Sequence, residues 1–357
     1  MRVRSGLFRI TLTAVALCAA VVLSCTPTLE PVTPVDPAPP VDTLTPTPPP
    51  ADTVTPTPPP PDTLTPTPPP ADTVTPPPTP PDTLTPPPAQ PVANYGWPEL
   101  PAQADANHDG VDDNNSDYYY SHTFRADAAS IRNFSSCYSR GMLHPVWVAA
   151  PMHACYKGSS GRNDSYQNDP QIPFDQSPKF SGYTRGHMIG SSDRTVSKPT
   201  NRQVFYYSNI GAQLNDGFNT GGGAWNNLED EVDTYVCSDT LYQVVGCIFT
   251  DFTDRYGVTV TATTTTNAVG TCQVPTAWYK VLLRTKSGNS GKRVADCTAD
   301  ELQCVAFILA HRSNKSHKPS TSDMYPVTKV EELTGLNFFV NVPNAPKDSF
   351  SALDWDL

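Results

Sequence analysis

Between Thr26 and Pro91 the chain has no lysine, arginine, glycine, cysteine, phenylalanine, tyrosine or tryptophan. A segment without aromatic residues cannot bury enough apolar surface to offset the entropy of folding, so a packed domain is excluded there. No apolar run reaches the roughly 20 residues that a spanning helix needs, which excludes a multi-span helical membrane protein. No Cys-x-x-Cys pair and no cysteine–histidine spacing of a zinc site occurs. Basic residues are outnumbered, 24 against 35 acidic ones, which argues against a surface built to neutralise DNA phosphates over a wide area.

What is present is sharply divided. Of 41 prolines, 28 lie in residues 26–91, whereas residues 92–357 hold 32 of the 33 aromatic residues. The chain therefore reads as a leader (1–24), a stalk beginning at Cys25 (25–91) and one domain (92–357) large enough for a substantial core.

The leader has three arginines ahead of an apolar run from Leu12 to Leu23, followed by Ser24 and Cys25, the pattern of an export signal. Val22-Leu23-Ser24-Cys25 resembles the bacterial lipobox, in which the cysteine is lipidated and becomes the new N-terminus. The alternative is an ordinary signal peptide cut nearby. The expectation is an exported protein anchored to a bacterial membrane through Cys25, at the periplasm or the cell surface. From Val41 the stalk repeats every ten residues as VDTLTPTPPP and close variants. This composition favours extended polyproline II, at about 3.1 Å per residue, so the stalk can reach on the order of 200 Å. A spacer fits better than a proline-rich ligand for a partner domain. The stalk also carries seven acidic residues and no basic one, and the leader three arginines and no acid, so with both set aside the net charge of −11 becomes −7 for residues 92–357. That leaves room for a local cationic site.

Seven cysteines fall in the domain: Cys137, Cys155, Cys237, Cys247, Cys272, Cys297 and Cys304. In an exported protein they are expected to form structural disulfides, at most three with one thiol left over. Asp105 to Asp113 looks like the first half of a calcium loop, but its twelfth position is Ser116 where a bidentate glutamate is needed. An ordinary Asp/Asn/Gly loop is the alternative.

Pro145 to Ala150, Val244 to Phe249, Ala277 to Arg284 and Cys304 to Ala310 are short, apolar and rich in β-branched or aromatic residues, and are predicted strands. Trp225, Leu228, Val232 and Tyr235 recur at helical spacing, with Glu229 and Asp233 off that stripe. The fold class expected is α+β with a mostly antiparallel central sheet.

Tyr183-Thr184-Arg185-Gly186-His187 is followed by Ser208-Asn209-Ile210-x-x-Gln213, Asn219 and Trp225-x-x-Leu228-Glu229. A histidine, an arginine, amides and a glutamate are the groups that metal-assisted phosphodiester cleavage needs. Further matches stand in order: Arg162-Asn-Asp-Ser-Tyr with Asp169-Pro170 before, then Val274-Pro-Thr-x-x-Tyr279-Lys280-Val281, Ala306-Phe-Ile-Leu and Glu332-Leu-Thr-Gly-Leu-Asn-Phe-Phe339 after. Together they resemble the DNA/RNA non-specific endonucleases of the ββα-metal (His-Me finger) superfamily. The resemblance implies an α+β fold with a ββα-metal site. It implies His187 as general base, Asn219 as ligand of a single Mg²⁺ (Mn²⁺ can substitute) and Glu229 on one of the ion's waters. It implies Arg162 and Arg185 on the phosphate, with Asn209 and Gln213 supporting the loop between the base and the metal ligand. The partners implied are DNA and RNA, cut without sequence preference to 5′-phosphate ends. Two departures stand out. Thr184 replaces an acid that the family often has there, and Asn219 lies ten residues before Glu229 where eight is usual, with Thr220 to Gly223 filling the gap. Asn215 is the alternative ligand. A silent nucleic-acid- or partner-binding lipoprotein, or a phosphodiesterase or pyrophosphatase on smaller substrates, are the rival functions. His122, His144, His153, His311 and His317 are expected to be structural.

Overall fold

The computed structural model describes residues 96–105, 109–126 and 129–357. The export leader, Cys25 and the stalk lie outside the described residues. Three strands open the domain, β1 (Tyr118–Ala126), β2 (Ala129–Ser139) and β3 (His144–Met152). A separate unit follows: β4 (Thr184–His187), α1 (Lys198–Gln203), β5 (Ile210–Gln213) and α2 (Ala224–Thr234). Next come β6 (Leu241–Ile248), β7 (Phe252–Thr253), β8 (Thr259–Val260), β9 (Thr263–Thr266) and β10 (Thr271–Val274). The chain closes with β11 (Ala277–Thr285), β12 (Leu302–Ala310), β13 (Met324–Tyr325) and α3 (Val327–Thr334). The central sheet has the order β1-β2-β3-β6-β11-β12-β13, and every neighbouring pair is antiparallel. The fold is α+β, as expected, and each of the four predicted runs falls in a strand of this sheet, save that Phe249 lies one residue beyond β6.

Both faces of the sheet are covered, which is why β12 is buried along its whole length and reads as an unbroken apolar run. Side chains alternate between the faces. Trp147, Tyr279, Val281 and Leu283 pack with Val327 and Val330 of α3, while Val148, Val245, Trp278, Leu282 and Phe307 pack with Trp225, Leu228 and Val232 of α2. The predicted helical stripe is therefore the buried face of α2.

The expected disulfides are not formed: all seven cysteines are free. Cys137, Cys247 and Cys304 lie in β2, β6 and β12, and no two of these strands are neighbours. Strands two apart are separated by about 10 Å, beyond the roughly 7 Å that a disulfide spans between Cα atoms. Cys247 also belongs to the opposite face of the sheet from Cys137 and Cys304. Burial pushes the thiols of Cys137 and Cys247 well up, so they act as small core residues.

In the calcium-like segment the carboxylates are committed to their own loop. Asp105 accepts from the Asp109 and Gly110 amides, and Asp112 from Asn114, Asn115 and the Tyr119 hydroxyl. That is the turn chemistry of the alternative reading.

Two buried imidazoles clamp β5 against the sheet. His144 donates from Nδ1 to the Pro145 carbonyl (2.7 Å) and accepts the Ala212 amide at Nε2 (2.9 Å). His311 donates to the Pro275 carbonyl (2.8 Å) and accepts the Leu214 amide (2.8 Å). Both must be neutral to accept, and burial lowers each to about 4. These histidines are structural, and the segment they hold is the one that carries Gln213.

Candidate active site

The β4–β5 hairpin pairs Thr184 with Gln213, Gly186 with Gly211 and His187 with Ile210. The Gln213 side chain lies across Gly186, where any Cβ would collide with it. Gln213 Oε1 in turn accepts a hydrogen bond from Asn219 Nδ2. The glycine between Arg185 and His187 thus makes room for the side chain that orients Asn219. With its NH₂ committed to Gln213, Asn219 has its side-chain carbonyl oxygen left for the cleft.

After Asn219 the chain passes through Gly221 and Gly222, both left-handed at φ 61° and 80°, before α2 starts at Ala224. Only glycine adopts that conformation cheaply. The extra residues loop out and delay the helix while Asn219 stays at the cleft. Asn215 is exposed and does not border it; its backbone and side-chain oxygens accept from the Thr220 hydroxyl instead.

The cleft has a volume of about 520 Å³ and is lined by Arg162, Arg185, His187, Asn219 and Glu229, with Ser191, Ser192 and Thr195 on one wall. Five residues singled out in the sequence, spread from 162 to 229, therefore meet in one place. Asn209 and Gln213 do not line it and act from behind. Asn209 binds both backbone polar groups of Ile189, at 3.0 Å each, and the Val204 carbonyl at 2.8 Å. This fixes the chain two residues after His187. Thr184 is likewise outside the lining, so the missing acid is not replaced by a hydroxyl in the cleft.

His187 packs against Phe205 and Tyr166, with ring centroids 5.0 and 5.8 Å away. Its Nε2 is buried and has no hydrogen-bond partner among the described residues, which leaves Nδ1 as the nitrogen that the cleft can reach. Burial, with Arg162 and Arg185 adding repulsion, lowers its pKa to about 3, so the ring is neutral at pH 7. The Arg185 guanidinium sits 3.9 Å from the centroid of the Tyr166 ring, and that of Arg162 sits 5.0 Å from the Phe205 ring. Arg162 also donates to Asp164 (2.7 Å) and to the Tyr166 hydroxyl (3.3 Å). Stacking holds the planar cations in place before any anion arrives. Tyr166 stood in a matched segment without a role and Phe205 lay outside them all; an aromatic residue four positions after Arg162 was the available signal.

Behind the serine wall, Arg194 is fully buried. It donates to the Asn133 side chain (2.7 Å), to the Asn133 and Pro151 carbonyls, and stacks on Tyr156. On the other side, Asp169 joins His122 (2.8 Å) and the Ser208 hydroxyl, next to Asn209.

Glu229 is half-buried on the cleft wall, and burial pushes it up to about 7, with Lys280 opposing and Asp193 adding to the rise. The oxygens available to a metal are the Asn219 carbonyl and the Glu229 carboxylate. Hard oxygen donors suit Mg²⁺ or Mn²⁺. Among the described residues no three His, Cys, Asp or Glu side chains cluster to hold an ion. What fits here is an ion that keeps most of its waters, as Mg²⁺ does.

The family model described as DNA/RNA non-specific endonuclease matches residues 114–345. The chain is similar to the mitochondrial nuclease of Saccharomyces cerevisiae, 24% identical over 239 residues covering 62% of this chain and 68% of that protein. It is 30% identical to Nuclease C1 of Cunninghamella echinulata, over 50% of this chain and 67% of that one. It is 27% identical to a nuclease of Nostoc sp., over 58% and 72%.

Proposed function

The chain belongs to the DNA/RNA non-specific endonuclease family, and from that premise we propose that it hydrolyses phosphodiester bonds of both DNA and RNA with Mg²⁺, or Mn²⁺ in its place, and leaves 5′-phosphate ends. The observation that carries the reading is the single cleft that gathers Arg162, Arg185, His187, Asn219 and Glu229. Neutral His187 takes a proton from the attacking water, a role open to an imidazole that burial and two arginines keep unprotonated. Entry of a phosphate between Arg162 and Arg185 offsets their charge and raises the basicity of His187 when it is needed. The guanidiniums grip the phosphate and not the bases, which accounts for tolerance of both sugars and all sequences. Asn219, oriented by Gln213, and Glu229 hold the ion and its waters. When bound, the ion supplies Lewis-acid stabilisation of charge on the phosphate and on the leaving 3′ oxygen. Ser191, Ser192 and Thr195 complete the cleft lining. The acidic surface is compatible with this, since phosphate meets a local cationic site.

The test incubates the full chain with plasmid DNA and with RNA, in Mg²⁺ and in EDTA. Cleavage of both in Mg²⁺ alone is expected; two intact polymers in Mg²⁺ reject the reading. Asn219→Ala raises the Mg²⁺ concentration needed for half-maximal cleavage by more than about tenfold, whereas Asn215→Ala leaves it within about twofold, since loss of a coordinating group costs on the order of 10–100-fold in metal affinity. The reverse result assigns the ligand to Asn215.

The same reading holds that the enzyme is exported and tethered through Cys25, on the support of the basic and apolar leader, the lipobox-like segment and the coreless stalk. Cys25→Ser moves the protein from the membrane fraction to the soluble fraction; membrane retention of that variant rejects the lipid anchor.

A further inference from the structure

Glu229 borders two spaces. One is the cleft, and the other is a polar recess of about 70 Å³ between α2 and the sheet. Gln243 of β6 and Lys280 of β11 form part of its lining, on the same face of the sheet as Val245, Trp278 and Leu282. Lys280 stands opposite Val245, and Gln243 opposite Leu282, so the two are diagonal neighbours. Both are buried, with 3% and 1% of their surface exposed. The amide nitrogen and the amide oxygen of Gln243 both lack a hydrogen-bond partner. The Lys280 ammonium lies 5.0 Å from the Trp225 ring centroid, while Asp193, beside it in the recess, pairs with Lys157. Of the described residues that line the recess, Lys280 alone is cationic.

Such groups are costly when dry: an unmet buried amide atom costs about 1–3 kcal/mol, and a buried charge more. A water needs on the order of 10–15 Å³ of such space and two to four polar partners. The recess provides both. We propose that it is a site for ordered water, held by Lys280 and Gln243, that fixes the Glu229 carboxylate from behind and keeps it directed at the cleft. This rests on the role given to Glu229 above. Lys280 and Gln243 are positioning residues and touch no substrate. The charged groups that share these two spaces with Glu229 are Lys280 from β11, Asp193 from the turn at 191–194, Asp230 and Asp233 from its own helix, and Arg162, Arg185 and His187 across the cleft. Lys157 pairs with both Asp193 and Asp233, so the recess side depends on Lys280 for its balance.

The test reads the bound water and turnover in the full chain. Water–protein cross-relaxation NMR at the ¹⁵N-labelled Gln243 side-chain amide is expected to show a long-lived water in the wild type, with Gln243→Leu to assign the signal. Lys280→Met lowers kcat by about tenfold, Lys280→Arg restores it to within about threefold, and Gln243→Leu lowers it by about threefold, each with KM for nucleic acid within about twofold, because a positioning group acts in the transition state and not on substrate binding. The proposal is overturned if the Gln243 amide shows no long-lived water. It is equally overturned if Gln243→Leu is more thermostable than the wild type and leaves kcat unchanged, the result expected of a dry recess. Should Lys280→Met fail to fold, the water signal and Gln243→Leu decide alone. A long-lived water at Gln243 in a chain that cuts no nucleic acid supports the recess and rejects the nuclease reading.

Discussion

Replacing His187 with alanine lowers the rate of DNA and RNA cleavage by about 10³-fold, within the range that a positioned general base contributes. The loss is expected in kcat with KM nearly unchanged, because Arg162 and Arg185, which grip the phosphate, are held by Phe205, Tyr166 and Asp164 and not by His187. His187 accepts no protein hydrogen bond at Nε2, so its removal orphans no partner there. It does leave a gap beside Phe205 and Tyr166, which a thermal melt of the variant will register as a modest decrease. Arg185→Ala is the contrast, acting chiefly on KM. Steady-state cleavage of a labelled duplex by the full chain separates the two. If His187→Ala retains activity within about tenfold of the wild type, another group takes the proton and the mechanism given to this cleft is wrong.

Asp169→Ala destabilises the protein by about 3–5 kcal/mol, because it strands the three donors that its buried carboxylate accepts from, at about 1–3 kcal/mol for each buried one. Asp169 is 1% exposed and holds together three parts of the chain: His122 of β1, the Ser208 hydroxyl ahead of β5, and the Gln171 amide in its own turn. Burial alone would raise its carboxyl; the charge and hydrogen bond of His122, with the bonds from Ser208 and Gln171, outweigh this and hold it below the usual carboxylate range. A carboxyl depressed on folding contributes stability that is complete above the unfolded value, about 3.9, and is lost as the pH falls through the folded value. The difference between wild type and Asp169→Ala in urea unfolding should therefore be full at pH 7 and shrink below about pH 4. In a domain of this size the melting temperature falls by on the order of 10 °C. A difference under about 1 kcal/mol at pH 7 would show that water replaces the carboxylate at no great cost. Because Ser208 adjoins Asn209, which binds the backbone of Ile189, activity is expected to fall together with stability.

By itself the sequence determined the strands of the central sheet, the buried face of α2 and the family. These are local properties. Composition decides whether a segment can form a core, and periodicity decides which face is buried. The order of Arg185-Gly186-His187, Asn209, Gln213, Asn219 and Glu229 carries the family because one hairpin and one helix set their spacing. Even the glycine insertion was legible, since only glycine turns the chain left-handed at two successive positions without strain.

The cysteines show where that legibility ended. Seven behind an export-like leader suggested disulfides, but for Cys137, Cys247 and Cys304 strand order decided against them, and strand order is set by pairing between segments far apart in the sequence. Tyr166 and Phe205 beneath the arginines, the imidazoles of His144 and His311 clamping β5, and Lys280 beneath Glu229 are likewise products of distant packing. The lysine between Tyr279 and Val281 was visible in an apolar run. That it shares a polar recess with Gln243, whose side-chain amide atoms have no hydrogen-bond partner among the described residues, depended on β6 and β11 lying side by side under α2. Residue types and spacing can be read along a chain; charge state, hydration and mutual distance depend on what the fold places next to each residue, and only the tertiary structure decides that.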